Sequence, residues 1–246
     1  MKISIIISIY NSHEAVRRQT EYFKKLNLGD DIEIIFLDDM SVPPLNVADY
    51  NLKNLSIYRT ESTLAWTQGI ARNLGASKAR GVYLFFTDID HIISKDAIDK
   101  VLDFDGPMMR FRRHFGILDE TGELKTDRES LKEYGLSPRY LSKEVLDINT
   151  HLNTFAIKST VFDTIGGYDE GWCNYGFHPL TRKGDDVYFN KAWKRYARKN
   201  NVELVTDSVV YVFPNGRFHK DGNLNPYGMF HDLSHKQEKF YKGEEL

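Results

Sequence analysis

The chain has 246 residues, 41% of them hydrophobic and 28% charged, and a formal net charge of −2. That balance belongs to a globular protein able to bury a substantial core, and it gives no general attraction to nucleic acid or anionic membranes. A single cysteine, Cys173, excludes an intrachain disulfide and a cysteine-rich zinc site, and fits a reducing compartment.

The opening MKISIIISIYNSHE has an apolar run too short to span a bilayer and no small-residue cleavage site. It reads as a first buried strand over Lys2–Ile9, and a cytoplasmic location is expected. Ser12 is placed to cap a helix running to about Leu26. Ile32–Leu37 is a second buried strand ending in Asp38-Asp39, and Leu55–Arg59 a third, shorter one. A helix is predicted over Ala65–Ala79, with Ile70, Ala71 and Leu74 facing inward and Gly81 as its stop. Val82–Thr87 is the fourth strand, and Ser94 caps a helix to about Leu102. Buried strands alternating with helices predict an α/β fold with a mostly parallel, doubly wound sheet. Ligands of such sheets bind beyond the carboxyl ends of the strands, which directs attention to Tyr10-Asn11, Asp38-Asp39 and Asp88–Asp90.

From Pro107 the pattern is less regular. An extended segment runs to Leu118, and 119–148 is a charged loop-and-helix region. Thr154–Ile157 is a short strand, and the helix Ser159–Ile165 is halted by Gly166-Gly167. A long helix covers Asp185–Asn200, and a last strand lies within Glu203–Val212. RFRRHF, residues 110–115, alternates bases with aromatics. Arg110 and Arg112 fall on one face, with Phe111 and Arg113 on the other. It reads as a solvated strand edge, or as a contact for an acceptor phosphate or nucleic acid.

Two constellations carry chemistry. YLFFTDIDH, Tyr83–His91, runs a hydrophobic strand into two carboxylates one residue apart. Strand alternation puts Asp88 and Asp90 on one face. Like charges so close repel, and burial adds to the cost. A divalent cation, Mn2+ or Mg2+, resolves this, because it takes oxygen ligands and leaves positions open for substrate phosphates. The rival reading is a solvated loop. Asp185-Asp186 opens the long helix, where the helix N-terminus favours carboxylates. Such residues serve as caps, or as a general base for a hydroxyl. No G-x-x-x-x-G-K-[ST] phosphate loop and no G-x-S-x-G elbow occurs.

Taken in order, ISIIISIYN, IEIIFLDDMS, AWTQGIARNLGASKARGVYLFFTDID, FAIKSTVFDTIGGYDEGW and KGDDVYFNKAW resemble the family 2 glycosyltransferases of the GT-A fold. The likeness runs from about residue 2 to residue 195. The tail NGRFHKDGNLNPYGMFHDLSHK is similar to the end of the β-1,4-galactosyltransferase-like group. The resemblance implies one Rossmann-like GT-A domain over 1–246, with a mostly parallel central sheet flanked by helices. Residues 1–105 would bind a nucleotide sugar and 106–212 the acceptor, while 213–246 close the metal site.

Carried over residue by residue, the resemblance implies that Ser8, Tyr10 and Asn11 lie against the nucleotide base. Asp38 and Asp39 would hydrogen-bond base or ribose, and Arg72 would position the donor. Asp88 and Asp90 match the metal-binding pair, with Asp90 the more direct ligand and Asp88 supporting the metal or a ribose hydroxyl. His219 matches the third ligand, with His231 and His235 as competitors. Asp186 matches the base, and Asp185 a residue holding the acceptor hydroxyl, although an aspartate stands where the family has glutamate. Trp172 and Tyr175 are placed to stack on a sugar, or else in the core. The implied activity is metal-dependent, inverting transfer from a nucleotide-diphosphate sugar, a UDP-sugar, with Mn2+ or Mg2+. A glycan, a lipid-linked sugar, a protein and a modified nucleic acid all stay open as acceptor. The alternatives are a nucleotidylyltransferase or related enzyme, and a non-catalytic carbohydrate- or nucleotide-binding protein.

Overall fold

The computed structural model describes residues 1–62, 67–143, 147–171 and 184–214. Its first half follows the predicted order with one added strand, β5: β1 (Ile3–Ile9), α1 (His13–Leu26), β2 (Ile32–Asp38), β3 (Leu55–Arg59), α2 (Gln68–Lys78), β4 (Tyr83–Asp88), β5 (His91–Ile93) and α3 (Lys95–Leu102). The second half holds β6 (Met108–Phe115), β7 (Ile117–Leu118), β8 (Leu124–Lys125), α4 (Arg128–Glu133), α5 (Pro138–Leu141) and β9 (Asp147–Ile148). It ends with β10 (Phe155–Lys158), α6 (Ser159–Thr164), α7 (Asp185–Asn200) and β11 (Val205–Val212).

One sheet dominates, in the order β3-β2-β1-β4-β10-β6-β11-β5, with β9 added to β6. Strands β1 to β4 are mutually parallel. β10 runs antiparallel between β4 and β6, β11 is parallel to β6, and β5 is antiparallel to β11. The continuous β-branched runs are what a sheet covered on both faces requires. Ile3, Ile5, Ile7 and Ile9 point into one layer with Val16 and Phe23 of α1 and Ile98 and Val101 of α3. Ile6, Ile35, Leu37, Leu84 and Phe86 point into the other, against Ala71 of α2, Phe162 of α6 and Phe189 and Trp193 of α7. In that second layer Phe189 stacks between Phe155, at 5.1 Å, and Tyr168, at 4.5 Å, which anchors the first turn of α7 over the sheet.

Several predicted details are revised. The inner face of α2 is Gly69, Ala71, Arg72 and Gly75, while Ile70 and Leu74 are only half-buried. Small residues win because the helix lies almost on the sheet: a Cβ on Gly75 would stand 2.5 Å from Ile6 Cγ2 and 3.0 Å from Leu37 Cδ2. Ser12 occupies the N-cap of α1, but its hydroxyl donates to the Tyr10 carbonyl at 2.8 Å and caps nothing. Ser94 does cap α3, accepting from Ala97 N at 3.0 Å. The extended segment after Pro107 breaks at Gly116, where a Cβ would meet Tyr211. β6 is no edge, because it lies between β10 and β11. β5 was not predicted; three residues after a turn are too few for a pattern.

Candidate functional site

The parallel strands bring their carboxyl ends to one rim, and the loops there are tied together. Asp39 N donates to Ile9 O, Asn11 N to Ser41 Oγ and Val42 N to Asn11 Oδ1, at 2.7, 2.9 and 2.8 Å. Asn11 takes φ 45, a left-handed conformation that asparagine tolerates better than most residues. Asp38 spends its carboxylate on structure, accepting from Ser41 N, Leu45 N and Arg59 Nη1 at 2.8, 3.2 and 2.5 Å. Asp39 accepts from Thr60 Oγ1 at 2.9 Å and from Thr67. The Tyr10 phenol is pushed up by burial and by the nearby Asp39 charge. Ser8 is buried, its Oγ has no hydrogen-bond partner, and it stands level with Asp88 on the adjoining strand.

Asp88 is the last residue of β4, and Asp90 follows in the turn to β5, so strict alternation stops between them. Their carboxylates nonetheless converge. Asp88, Asp90 and His91 each offer a ligand atom within 4.8 Å of the others. Asp88 Oδ1 accepts from Arg72 Nη2 at 2.5 Å, and Asp88 Oδ2 lies 3.3 Å from His151 Nδ1. Asp90 Oδ1 contacts His91 Nδ1 at 2.8 Å.

Arg72 is the hub. Its side chain is fully buried, its Nη1 lies 3.7 Å from Asp185 Oδ2, and its guanidinium sits 5.2 Å from the centre of the Tyr168 ring. Burial alone would lower its pKa, but Tyr168, Asp88 and Asp185 outweigh burial and raise it, so the cation is permanent. Close approach is again a matter of a small residue, since a Cβ on Gly69 would stand 3.1 Å from Asp185 Oδ2. Asp186 is half-buried, and burial together with the Asp185 charge raises its carboxyl above the ordinary value. Burial pushes the Tyr168 phenol up, and lowers the His151 imidazole to about 4. Arg110 is buried and donates to Asn190 Oδ1 at 2.6 Å.

Ser8, Tyr10, Asn11, Asp39, Arg72, Asp88, Asp90, Asp185 and Asp186 thus lie at the carboxyl rim or at the helix start facing it. Trp172, Tyr175, His219, His231 and His235 lie outside the described residues, as does the tail similar to the galactosyltransferase-like group. His91, His151 and Tyr168 were missed as candidates. His91 adjoins the aspartate pair, a signal open to sequence reading. His151 becomes a neighbour only because β10 runs antiparallel beside β4.

The donor set fits a divalent cation: two carboxylates converge, with an orphaned buried hydroxyl alongside. Residues 4–113 match the family described as "Glycosyltransferase like family 2". No curated protein sequence matches the chain. Among solved structures, TarS of S. aureus matches with TM-score 0.56 and 18% identity over 88% of this chain and 37% of that one. A TarS 1–349 structure in complex with UDP matches with TM-score 0.53 and 18% identity, covering 96% of this chain and 68% of that one. The mannosyltransferase PcManGT from Pyrobaculum calidifontis, in complex with GDP-Man and Mn2+, matches with TM-score 0.52 and 14% identity over 85% and 56% of the two chains. This chain has the GT-A fold. It spans little more than a third of the full TarS chain. No described helix is long and apolar enough to cross a membrane.

Proposed function

We propose that this GT-A chain transfers a sugar, with inversion, from a nucleotide-diphosphate donor of the UDP-sugar class to an acceptor hydroxyl. One observation carries the reading. The buried Arg72 joins Asp88, at the cation and diphosphate end of this reading, to Asp185, whose neighbour Asp186 is a half-buried carboxylate of raised pKa. A donor-holding group and a proton acceptor then stand on either side of one arginine. The match of residues 4–113 to a glycosyltransferase family, and fold relatives holding UDP or GDP-Man with Mn2+, support the same reading.

In this reading Tyr10, Asn11 and Ser8 flank the base and Asp39 meets base or ribose. Asp38 holds the 41–45 loop beneath them. Asp88 and Asp90 hold Mn2+ or Mg2+, which when bound neutralises charge on the departing diphosphate. Arg72 fixes both Asp88 and Asp185. Asp185 orients the acceptor hydroxyl, and Asp186 takes its proton as it attacks the anomeric carbon. Residues 1–105 serve the donor, 106–212 the acceptor, and the tail closes the site. A cytoplasmic location belongs to the same proposal, supported by the lone cysteine.

The test is Asp186→Asn. Nucleotide release from a panel of UDP- and GDP-sugars with Mn2+, offered glycan, lipid-linked and polymer acceptors, should show turnover in the parent chain. The variant should retain donor binding and lose turnover. Unchanged turnover in the variant removes Asp186 as base, and no turnover with any donor removes the enzymatic reading.

A further inference from the structure

We infer that His151 is a protein ligand of the divalent cation, on the Asp88 side, and that His91 is a positioning residue that orients Asp90. This rests on reading Asp88 and Asp90 as a cation site. The two imidazoles flank the aspartates with ring centres 5.2 Å apart, but they are not equivalent. His91 is almost wholly buried, and its Nε2 lies 3.3 Å from Arg113 Nη1. An arginine can only donate, so Nε2 accepts and Nδ1 carries the hydrogen given to Asp90 Oδ1. Both nitrogens of His91 are therefore spent. A ligating carboxylate is commonly held by such an outer partner.

His151 is the reverse case. Its Nδ1 is shut off from solvent and makes no hydrogen bond, yet it lies 3.3 Å from Asp88 Oδ2. The other oxygen of that carboxylate is held by Arg72. Two adjacent donors on one octahedral cation, each about 2.1 Å from it, stand about 3 Å apart. The observed Asp88–His151 separation is close to that spacing, although the set whose ligand atoms already lie within 4.8 Å of one another is Asp88, Asp90 and His91. The surroundings agree. β10 pairs antiparallel with β4, Phe155 opposite Phe86, which carries the segment before it to the carboxyl end of β4. There Asn153 is buried with Oδ1 unpartnered, and Ser8 Oγ is unpartnered on the opposite side of β4. Buried polar atoms are rarely left unpaired unless an ion or water takes them. A nitrogen donor in the set also favours a transition-metal ion over Mg2+.

The experiment is pulsed EPR of Mn2+ bound to the full chain with UDP, which detects a directly coordinated imidazole by its 14N modulation. The parent should show that coupling. His151→Gln should lose it and bind Mn2+ at least about tenfold more weakly. His91→Gln and His219→Gln should keep the coupling, with circular dichroism confirming that each variant is folded. Coupling that survives in His151→Gln, that vanishes in His219→Gln, or that is absent from the parent while Mn2+ binds overturns the inference. Mn2+ binding that is indifferent to Asp88→Asn and Asp90→Asn overturns instead the cation-site reading beneath it.

Discussion

Replacing Arg72 by methionine keeps most of the side chain's bulk and removes its charge. Two carboxylates then lose their shared partner: Asp88 at 2.5 Å and the fully buried Asp185 at 3.7 Å. Breaking a buried ion pair from one side typically costs about 3–5 kcal/mol, because the partner left behind is uncompensated. Asp88 keeps some contact with solvent, so Asp185 bears most of the penalty. The expected loss is therefore about 3–4 kcal/mol near neutral pH, a fall in Tm of roughly 6–16 °C for a chain of this size. Asp185→Asn, which removes the charge left unpaired, should restore part of that loss in urea melts. A loss below about 1 kcal/mol, or no rescue by Asp185→Asn, would refute Arg72 as the charge that holds the two aspartates in place.

Asp186→Asn should lower kcat by about 10²–10⁴-fold with donor affinity unchanged, measured by nucleotide release. Burial and Asp185 raise the Asp186 carboxyl, and a base acts only when ionised. The acid limb of the parent's rate profile should therefore lie above the ordinary aspartate range; a limb at or below that range speaks against the assignment. Gly75→Ala brings a methyl to 2.5 Å from Ile6 Cγ2. The overpacking cost of about 1–3 kcal/mol should outweigh the helix gain of about 1 kcal/mol, and a rise in Tm would contradict so close a packing of α2. Glu33 is buried, which alone would raise its carboxyl, but bonds from Ser4 Oγ and Arg80 N, both at 2.6 Å, and the Arg80 guanidinium hold it below the usual range. Its contribution is thus present above the unfolded pKa and lost as pH falls through the depressed one. Glu33→Gln should cost roughly 2 kcal/mol at neutral pH and little in strong acid, and equal stability of the two proteins at neutral pH would count against it.

The sequence made the parallel half of the sheet legible because each strand is buried on both faces and reads as an unbroken apolar run. Ile3–Ile9 and Ile32–Asp38 needed no tertiary information. The aspartates of the candidate site stood out because carboxylates directly after such runs are costly without a purpose. What stayed hidden depended on long-range pairing. His151 lies in an undistinguished segment, and only the antiparallel insertion of β10 between β4 and β6 sets it beside Asp88. Arg72 carried a weaker signal, since an arginine on a short helix is usually solvated. Its burial follows from Gly69 and Gly75, which let α2 descend onto the sheet. Tyr168 read as part of a glycine turn, with Gly166 and Gly167 at φ 85 and 64, and not as the ring beneath that guanidinium.

The most direct test of the cation at Asp88 and Asp90 is calorimetric titration of UDP-sugars and GDP-sugars into the full chain with and without Mn2+, repeated with Asp90→Asn. Mn2+ should strengthen binding of the matching nucleotide sugar by tenfold or more, about 1.4 kcal/mol, in the parent and leave the variant unchanged. Equal affinity with and without the ion in the parent, or an undiminished Mn2+ effect in Asp90→Asn, would contradict it.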